Sequence, residues 1–243
     1  MIRIVFISLI CFGLNSCKTQ DVPLAPPENL SYSQSGKGPE LKIHFTAGPE
    51  HNHPLMAAWV ETMRGDFVQT LYVAESIGKG VFRHGDPSSG RWLPGPIRRP
   101  ASLPVWSHRR GIQAGDGLYV PDPDNPVPDA YTGPTPGEDF ILNVKLDTSL
   151  TQFMVFFEIN QPWDWNSYWT NNRFPDDDDY KTSSQPAVVY KAIINTESEF
   201  SRYRMRPVGH SHYSGDDGEI YEDLSTITTA LDIVEQIWVE VDN

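Results

Sequence analysis

Cysteine is scarce in this chain, which has two in 243 residues, Cys11 and Cys17. Cys11 lies within an apolar N-terminal run that is typical of a removable export signal, so only Cys17 would remain after processing. A single cysteine has no partner for an internal disulfide, even in an oxidising compartment. The stability of the folded protein must therefore come from its hydrophobic core.

Basic residues are also few, at 19 lysines and arginines against 32 aspartates and glutamates, so the formal net charge is −13. Removal of residues 1–16 would take away one positive charge, Arg3, and bring the net charge to −14 (−13 − 1). An acidic chain repels phosphate backbones, which argues against nucleic-acid binding. It also disfavours adsorption to anionic lipid, so attachment to a membrane would require a covalent anchor.

The familiar catalytic signatures are missing as well. The sequence has no G-x-S-x-G elbow and no phosphate-cradling glycine loop, and processing would leave no free nucleophilic cysteine. A catalytic triad assembled only in space stays open, because its members need not be neighbours in sequence. The sequence therefore favours a non-enzymatic role.

The long hydrophobic run 4–14 is shorter than the about 20 residues that a membrane-spanning helix needs. It leads into Leu14-Asn15-Ser16-Cys17, which resembles a lipobox, although asparagine is less usual at that position. We expect residues 1–16 to be a lipoprotein signal peptide and Cys17 to carry acyl chains that hold the protein in the cell envelope, at the outer membrane or periplasmic face. The alternative is a secreted protein in which this cysteine is incidental.

The mature chain is predicted to contain a tether and one domain. Residues 17–40 are rich in proline, glycine and serine and lack a hydrophobic period, which indicates a flexible tether. Residues 41–243 are long enough for a single β domain, and 21 prolines and 18 glycines indicate many turns. A turn-rich stretch at 78–139 is expected to wrap over the core, since long structureless loops are uncommon in compact domains.

Alternating or continuous apolar runs predict the strands of this domain, and one short helical turn is expected at 228–234. Residues 152–159 are apolar on both faces, so this strand should be central. Strands without alternating helices favour an antiparallel β-sandwich. The predicted strands are 41–45, 55–61, 67–73, 140–146, 152–159, 187–194 and 236–241.

Six segments carry a resemblance to a known family: HPLMAAWVE (53–61), GDFVQTLYV (65–73), RPASLPVW (99–106), DAYTGPTPG (129–137), FEINQPWDWN (157–166) and QPAVVYKA (185–192). Patchily over 41–241, the chain resembles a family of predicted periplasmic bacterial proteins that is catalogued as a domain of unknown function, and the segments 157–166 and 185–192 are similar to its envelope-lipoprotein members. The resemblance implies an immunoglobulin-like β-sandwich and an envelope location, and it brings no established catalytic residues. Because members are encoded beside membrane redox and metal-uptake components, we expect a binding or accessory subunit that works alongside such components.

Two histidine pairs raise the alternative of a metal-dependent envelope enzyme. His210 and His212 are two apart, so on a strand they share a face, and Asp216 is the acidic residue we expect to complete the ligand set, with Asp217 or Glu219 as alternatives. His51 and His53 form a second such pair, just before a predicted strand. Both pairs are also compatible with hydrogen-bonded turn residues. No cofactor is identified by the sequence.

Two acidic runs, 122–125 and 176–179, depart from the pattern of calcium loops. Such loops alternate Asp and Asn, contain a glycine and end in a bidentate glutamate. The second run lacks the alternation and the glycine, and the first lacks the glycine and the glutamate. Both are therefore predicted to be solvated acidic loops.

The segment 163–169, here called the aromatic loop, holds four large rings among polar side chains. Exposed, it would be a stacking platform for sugar rings or for a partner protein. Alternatively, the rings would close the end of the sandwich, and their burial decides between the two. The candidate contact residues are Trp163, Asp164, Trp165, Tyr168 and Trp169.

Overall fold

The computed structural model describes residues 26–32 and 35–242. The predicted signal peptide and Cys17 lie outside the described residues. The described residues contain three short α-helices among the strands: α1 (Glu75–Lys79), α2 (Pro104–Arg109) and α3 (Asp178–Ser183). In chain order the strands are β1 (Glu28–Tyr32), β2 (Glu40–Ala47), β3 (Leu55–Thr62), β4 (Phe67–Ala74), β5 (Val81–Asp86), β6 (Leu93–Pro96), β7 (Thr132–Gly133), β8 (Phe140–Lys145), β9 (Gln152–Asn160), β10 (Val188–Asn195), β11 (Arg202–Arg204), β12 (Arg206–His210) and β13 (Val234–Asp242).

The fold is mostly β, with two main sheets packed face to face in a sandwich-like arrangement. One sheet has the order β1-β8-β2-β13-β11 and the other β12-β10-β9-β3-β4-β7. Both are mixed rather than purely antiparallel, because β1 pairs with β8 and β4 pairs with β7 in parallel. The expectation of an all-antiparallel sandwich is therefore wrong at two edges, which are reached by long connections instead of hairpins.

The core between the sheets follows the alternation seen in the sequence. Leu41, Ile43 and Phe45 of β2 are buried at every second position, and Phe45 stacks on Phe140 of β8 with ring centroids 4.7 Å apart. Across the core, Phe157 of β9 lies 5.7 Å from Phe45. Burial of such rings supplies most of the stability that a disulfide-free domain requires.

A second hydrophobic layer covers the outer face of the six-stranded sheet, as the sequence predicted for the turn-rich stretch. Trp106 of α2 and Val127 pack there against Trp59 and Phe156, which project from β3 and β9 away from the first core. These two strands are therefore buried on both faces, and the prediction that β9 is central is confirmed. The stretch is less structureless than expected, since it contains α2 and three short strands.

The predicted tether is too long at its C-terminal end. Residues 28–32, placed in the tether, form β1 and extend one sheet along β8. The side chains of Leu30 and Tyr32 pack on the core, and Asn143 Nδ2 donates to the carbonyl of Leu30 at 2.9 Å. This strand was not predicted because its sequence is only weakly hydrophobic. Its pairing partner β8 lies more than a hundred residues away, so the pairing leaves no local pattern. The helical turn expected at 228–234 is a shorter 3₁₀ turn, Thr229–Leu231, and Val234 already belongs to β13.

Candidate functional site

Three connections that carry candidate residues meet at one end of the six-stranded sheet. Val188, the first residue of β10, lies opposite Ile159 near the end of β9 and opposite His210 at the end of β12. The register therefore brings together the aromatic loop after β9, helix α3 with the turn that joins it to β10, and the loop after β12 (211–220), here called the histidine loop. Loops at the end of a sandwich are the usual carriers of recognition.

The aromatic loop is fixed by a buried glutamine. Gln185 Oε1 accepts from Asn166 Nδ2 at 2.9 Å and from the Thr228 backbone N–H at 2.8 Å. Its Nε2 donates to the carbonyl of Asp164 at 3.1 Å and to Thr229 Oγ1 at 2.6 Å. Asp164, whose Oδ1 also accepts from Thr229 Oγ1 at 2.6 Å, and Asn166 therefore tie the loop to its neighbours instead of facing a ligand.

The four rings of the aromatic loop divide into two kinds. Trp169 is only 6% exposed and its Nε1 donates to Thr226 Oγ1 at 3.2 Å, while Trp165 is partly buried and meets Tyr180 edge-on at 5.6 Å. Trp163 and Tyr168, in contrast, are 62% and 42% exposed. The loop is thus anchored by two rings and presents two to solvent.

Both exposed rings are backed by arginines. The guanidinium of Arg173 lies 3.7 Å from the centroid of the Tyr168 ring, and that of Arg99 lies 5.3 Å from Trp163. Cation–π contact of this kind holds a surface ring in one orientation. Preoriented rings lose less conformational entropy when a ligand stacks on them.

The histidine pair is absorbed into local hydrogen bonds. His210 Nδ1 donates to the carbonyl of Ser211 at 2.7 Å, and burial lowers the pKa of His210, which favours the neutral imidazole. His212 Nδ1 accepts from the backbone N–H groups of Ser214 and Asp216, both at 3.4 Å. Asp216 thus approaches His212 through its backbone and not through its carboxylate.

The predicted metal ligands do not form a set in this structure. Within residues 26–32 and 35–242, no group of three or more His, Cys, Asp or Glu side chains is arranged to hold a metal ion. His210, His212 and Asp216 therefore do not form a metal-binding group. At the second pair, the ring of His51 lies 5.6 Å from that of Phe45, and burial lowers the pKa of His51, while His53 is exposed.

A small aromatic depression, here called the notch, adjoins the exposed ring of Tyr168, which meets the lining residue Trp169 edge-on at 5.0 Å. It has a volume of about 200 Å³ and is lined by Trp169, His210, Ser211, His212, Tyr213 and Tyr221. Tyr221 reaches it because its backbone N–H and carbonyl pair with those of His210. The sequence prediction missed Tyr213 and Tyr221, since neither belongs to an aromatic cluster in the sequence and a β-bridge to His210 brings Tyr221 to the site.

The acidic run 176–179 is not simply a solvated loop. Asp177 caps α3 by accepting the Tyr180 backbone N–H at 2.8 Å, and Asp178 pairs with Lys181 at 3.0 Å. Aspartate is favoured at helix N-termini, where its oxygen satisfies an otherwise unpaired N–H. In the run 122–125, Asp122 Oδ1 similarly accepts the backbone N–H of Asn125 at 2.7 Å.

No family model matches this chain, and comparison with curated proteins and with solved structures likewise gives no match. Of the helices in the described ranges, none is both long enough and apolar enough to cross a membrane. The function must therefore be argued from the site itself.

Proposed function

We propose that this chain is a lipid-anchored cell-envelope protein that acts as a non-enzymatic binding subunit and recognises sugar rings of an envelope glycan at the notch. The observation that carries the proposal is the combination of exposed, arginine-backed rings with an aromatic depression at the same end of the sheet. The domain that presents them is proposed to be immunoglobulin-like, as the family resemblance implies. The anchor is proposed to be the acylated Cys17.

The size of the notch favours one ring of a longer ligand. At about 200 Å³ it is smaller than the roughly 300–1,000 Å³ of sites that enclose a whole small molecule. Its walls are flat aromatic faces: His210 and Tyr221 are stacked with centroids 5.6 Å apart, and Tyr213 stacks on Phe174 at 4.0 Å. Flat apolar faces beside polar edges suit a pyranose, which has an apolar face and a rim of hydroxyls.

Polar groups at the notch can orient such a ring. The Nδ1 atoms of both imidazoles are engaged with the protein, so their Nε2 atoms are the groups that would meet ligand hydroxyls. The hydroxyl of Tyr221 is held by Asp217 at 2.9 Å, which fixes that ring as well. A site whose rings are held in place before any ligand arrives supports a binding role.

Binding of bacterial envelope saccharides to the full chain, purified in detergent, tests the proposal. Tyr221→Ala and Tyr168→Ala should each weaken binding at least about fivefold, since one aromatic contact contributes roughly 1 kcal/mol. Phe200→Ala is the matched control, because Phe200 is an exposed ring beyond the opposite end of β10.

Three results would overturn the glycan assignment. One is the absence of saturable binding to any saccharide, and another is an equal loss in the Phe200 variant. The third is a stoichiometric transition metal, found by elemental analysis and lost in His210→Ala, which would instead support the metal-dependent enzyme.

A further inference from the structure

A second depression lies on the other side of the histidine loop from the notch. This cleft has a volume of about 390 Å³ and is enclosed between α2, the segment 113–120, the tip of the loop at 214–216 and the start of α3. It shares no lining residue with the notch. The lining groups that matter for its chemistry are His108, Gln113, Tyr119, Asp179, Ser214 and Asp216.

The floor of the cleft is a fixed aromatic pair. His108 Nδ1 donates to the carbonyl of Pro104 at 2.9 Å, one turn back in α2, and its ring lies 4.2 Å from that of Tyr119. Gly218 packs directly on this histidine, because a Cβ at that position would lie 2.5 Å from His108 Cβ. The floor is therefore held from both sides before any ligand arrives.

The loop tip that forms one wall depends on a glycine at a close approach. Gly215 has a φ of +83°, and an added Cβ there would come within 2.3 Å of the Pro100 carbonyl oxygen. Only glycine adopts that backbone conformation at this distance without strain. The wall that carries Asp216 is thus packed against the layer over the sheet.

Two carboxylates at the rim, those of Asp179 and Asp216, are exposed. In the described part of the chain, neither Asp179 nor Asp216 forms an ion pair or accepts a hydrogen bond at its carboxylate. Nearby, Asp177 caps α3, Asp178 pairs with Lys181, and Asp217 accepts from Tyr221. Of the carboxylates in these two segments, those of Asp179 and Asp216 are the ones that line the cleft.

Electrostatics at the rim favours the arrival of a positive charge. Partial burial raises the pKa of Asp179, and the charges of Asp177, Asp216 and Asp178 raise it further. This repulsion is unrelieved because no basic side chain lines the cleft other than His108. A cation between the carboxylates would relieve it, and the formal net charge of −13 would draw cations to the protein.

We propose that the cleft binds a small organic cation, an amine, quaternary ammonium or guanidinium group, whose charge is held by Asp179 and Asp216 and whose apolar part lies against Tyr119 and His108. A bare divalent metal fits less well, because no group of three or more His, Cys, Asp or Glu side chains in the described part of the chain is arranged to hold one. An aromatic floor with a carboxylate rim suits a cation that carries carbon.

Calorimetric titration of the full chain in detergent with choline, n-butylamine and methylguanidine tests the proposal. At least one cation should bind saturably, and 3,3-dimethylbutanol, the neutral isostere of choline, should not compete. Asp179→Asn and Asp216→Asn should each weaken binding at least about tenfold, or 1.4 kcal/mol, as expected for a charge-assisted contact. Tyr119→Leu should weaken it by a smaller factor.

Asp178→Asn is the matched control, because it removes the same charge from the same helix at an exposed position that faces Lys181. Its affinity should match that of the unaltered chain, and melting temperatures should confirm that all variants fold. Equal weakening in this control would mean non-specific attraction to an acidic surface and would overturn the proposal. So would equal binding of the neutral isostere, or no saturable binding of any of the three cations.

Discussion

The carboxyl group of Glu158 in β9 accepts the backbone N–H of Trp106 at 2.8 Å and thereby fastens the layer over the sheet to the sheet itself. Its other oxygen accepts the backbone N–H of Val105 at 3.1 Å. These N–H groups open the short helix α2, where they have no partner within the helix. One fully buried side chain thus satisfies two donors that the helix leaves free.

Glu158 is expected to make the stability of the protein depend on pH. Burial raises its pKa from 4.5 to about 8, against the opposing effect of the two N–H donors. Between these values the folded protein holds a proton that the unfolded chain releases, so rising pH favours unfolding. The contribution of Glu158 to the free energy of unfolding should therefore be complete below pH 4.5 and decline as pH rises toward about 8.

Glu158→Gln isolates this contribution. The amide oxygen can accept one N–H while its NH₂ group faces the other, so one buried donor loses its partner at a cost of about 1–3 kcal/mol. Urea titrations across pH should also show a flatter profile than that of the unaltered chain. Glu235→Gln, at an exposed position, should leave both the stability and its dependence on pH unchanged. If the stability of the Glu158 variant depended on pH as steeply as that of the unaltered chain, the assignment of this dependence to Glu158 would be wrong.

The second hydrophobic layer should contribute as a true core. Trp106 is fully buried and its Nε1 donates to Thr70 Oγ1 at 3.1 Å, whereas Trp92, in the connection between β5 and β6, is 65% exposed. Trp106→Ala should lower the free energy of unfolding by about 3–5 kcal/mol, the usual loss for a large buried ring. Trp92→Ala should change it by less than about 0.5 kcal/mol. If denaturant titration gave a loss for Trp106→Ala as small as that for Trp92→Ala, the layer would be only loosely attached to the sheet.

A parallel comparison tests the core between the sheets and the acidic run. Phe157→Ala removes a fully buried ring and should cost about 3–5 kcal/mol. Asp178→Ala removes an exposed partner of Lys181 and should stay within about 0.5 kcal/mol, because surface ion pairs contribute little. A large loss at Asp178, measured by chemical denaturation, would mean that the run is a structural ion site.

Strong alternation in the sequence located most of the long strands, because burial of one face imposes a period of two. Thus β2, β8 and β9 lie close to their predicted positions. The edge strand β1 was missed because its sequence is polar and its only pairing partner is β8. Edges of this kind are set by the tertiary structure and leave no local signal.

The candidate site was predictable in position but not in detail. The end loops carry the aromatic residues, as expected, yet the pattern of alternating polar and aromatic residues could not show which rings face solvent. That division follows from Gln185, which lies outside the aromatic loop and holds Asn166. The cleft could not be predicted at all, since His108, Asp179 and Asp216 are far apart in the sequence.

Acylation of Cys17, which lies outside the described residues, gives a prediction independent of the fold. Cys17→Ser should move the protein from the membrane fraction to the soluble periplasm, or leave an uncleaved precursor, because serine cannot form the thioether that carries the lipid. Fractionation and mass spectrometry check both outcomes. Unchanged membrane association without the mass of attached lipid would show that another element holds the protein.

Gln185 provides the most direct test of how the aromatic loop is positioned. Its side chain is buried and joins Asp164 and Asn166 to Thr228 and Thr229. Gln185→Ala leaves several of these groups without partners, and each buried one costs about 1–3 kcal/mol. Stability should therefore fall, and amide hydrogen exchange should accelerate across 163–169, because the loop loses its attachment to the 3₁₀ turn.

Gln152→Ala, at an exposed position on the far end of β9, is the control and should alter neither property. Glycan binding gives a second measurement on the same pair of variants. If the loop orients Tyr168 for stacking, the Gln185 variant should bind envelope saccharides more weakly even under conditions where it remains fully folded. Unchanged exchange in the loop of a folded Gln185 variant would mean that the buried rings Trp165 and Trp169 are sufficient to hold it, and that the polar network contributes stability without positioning the site.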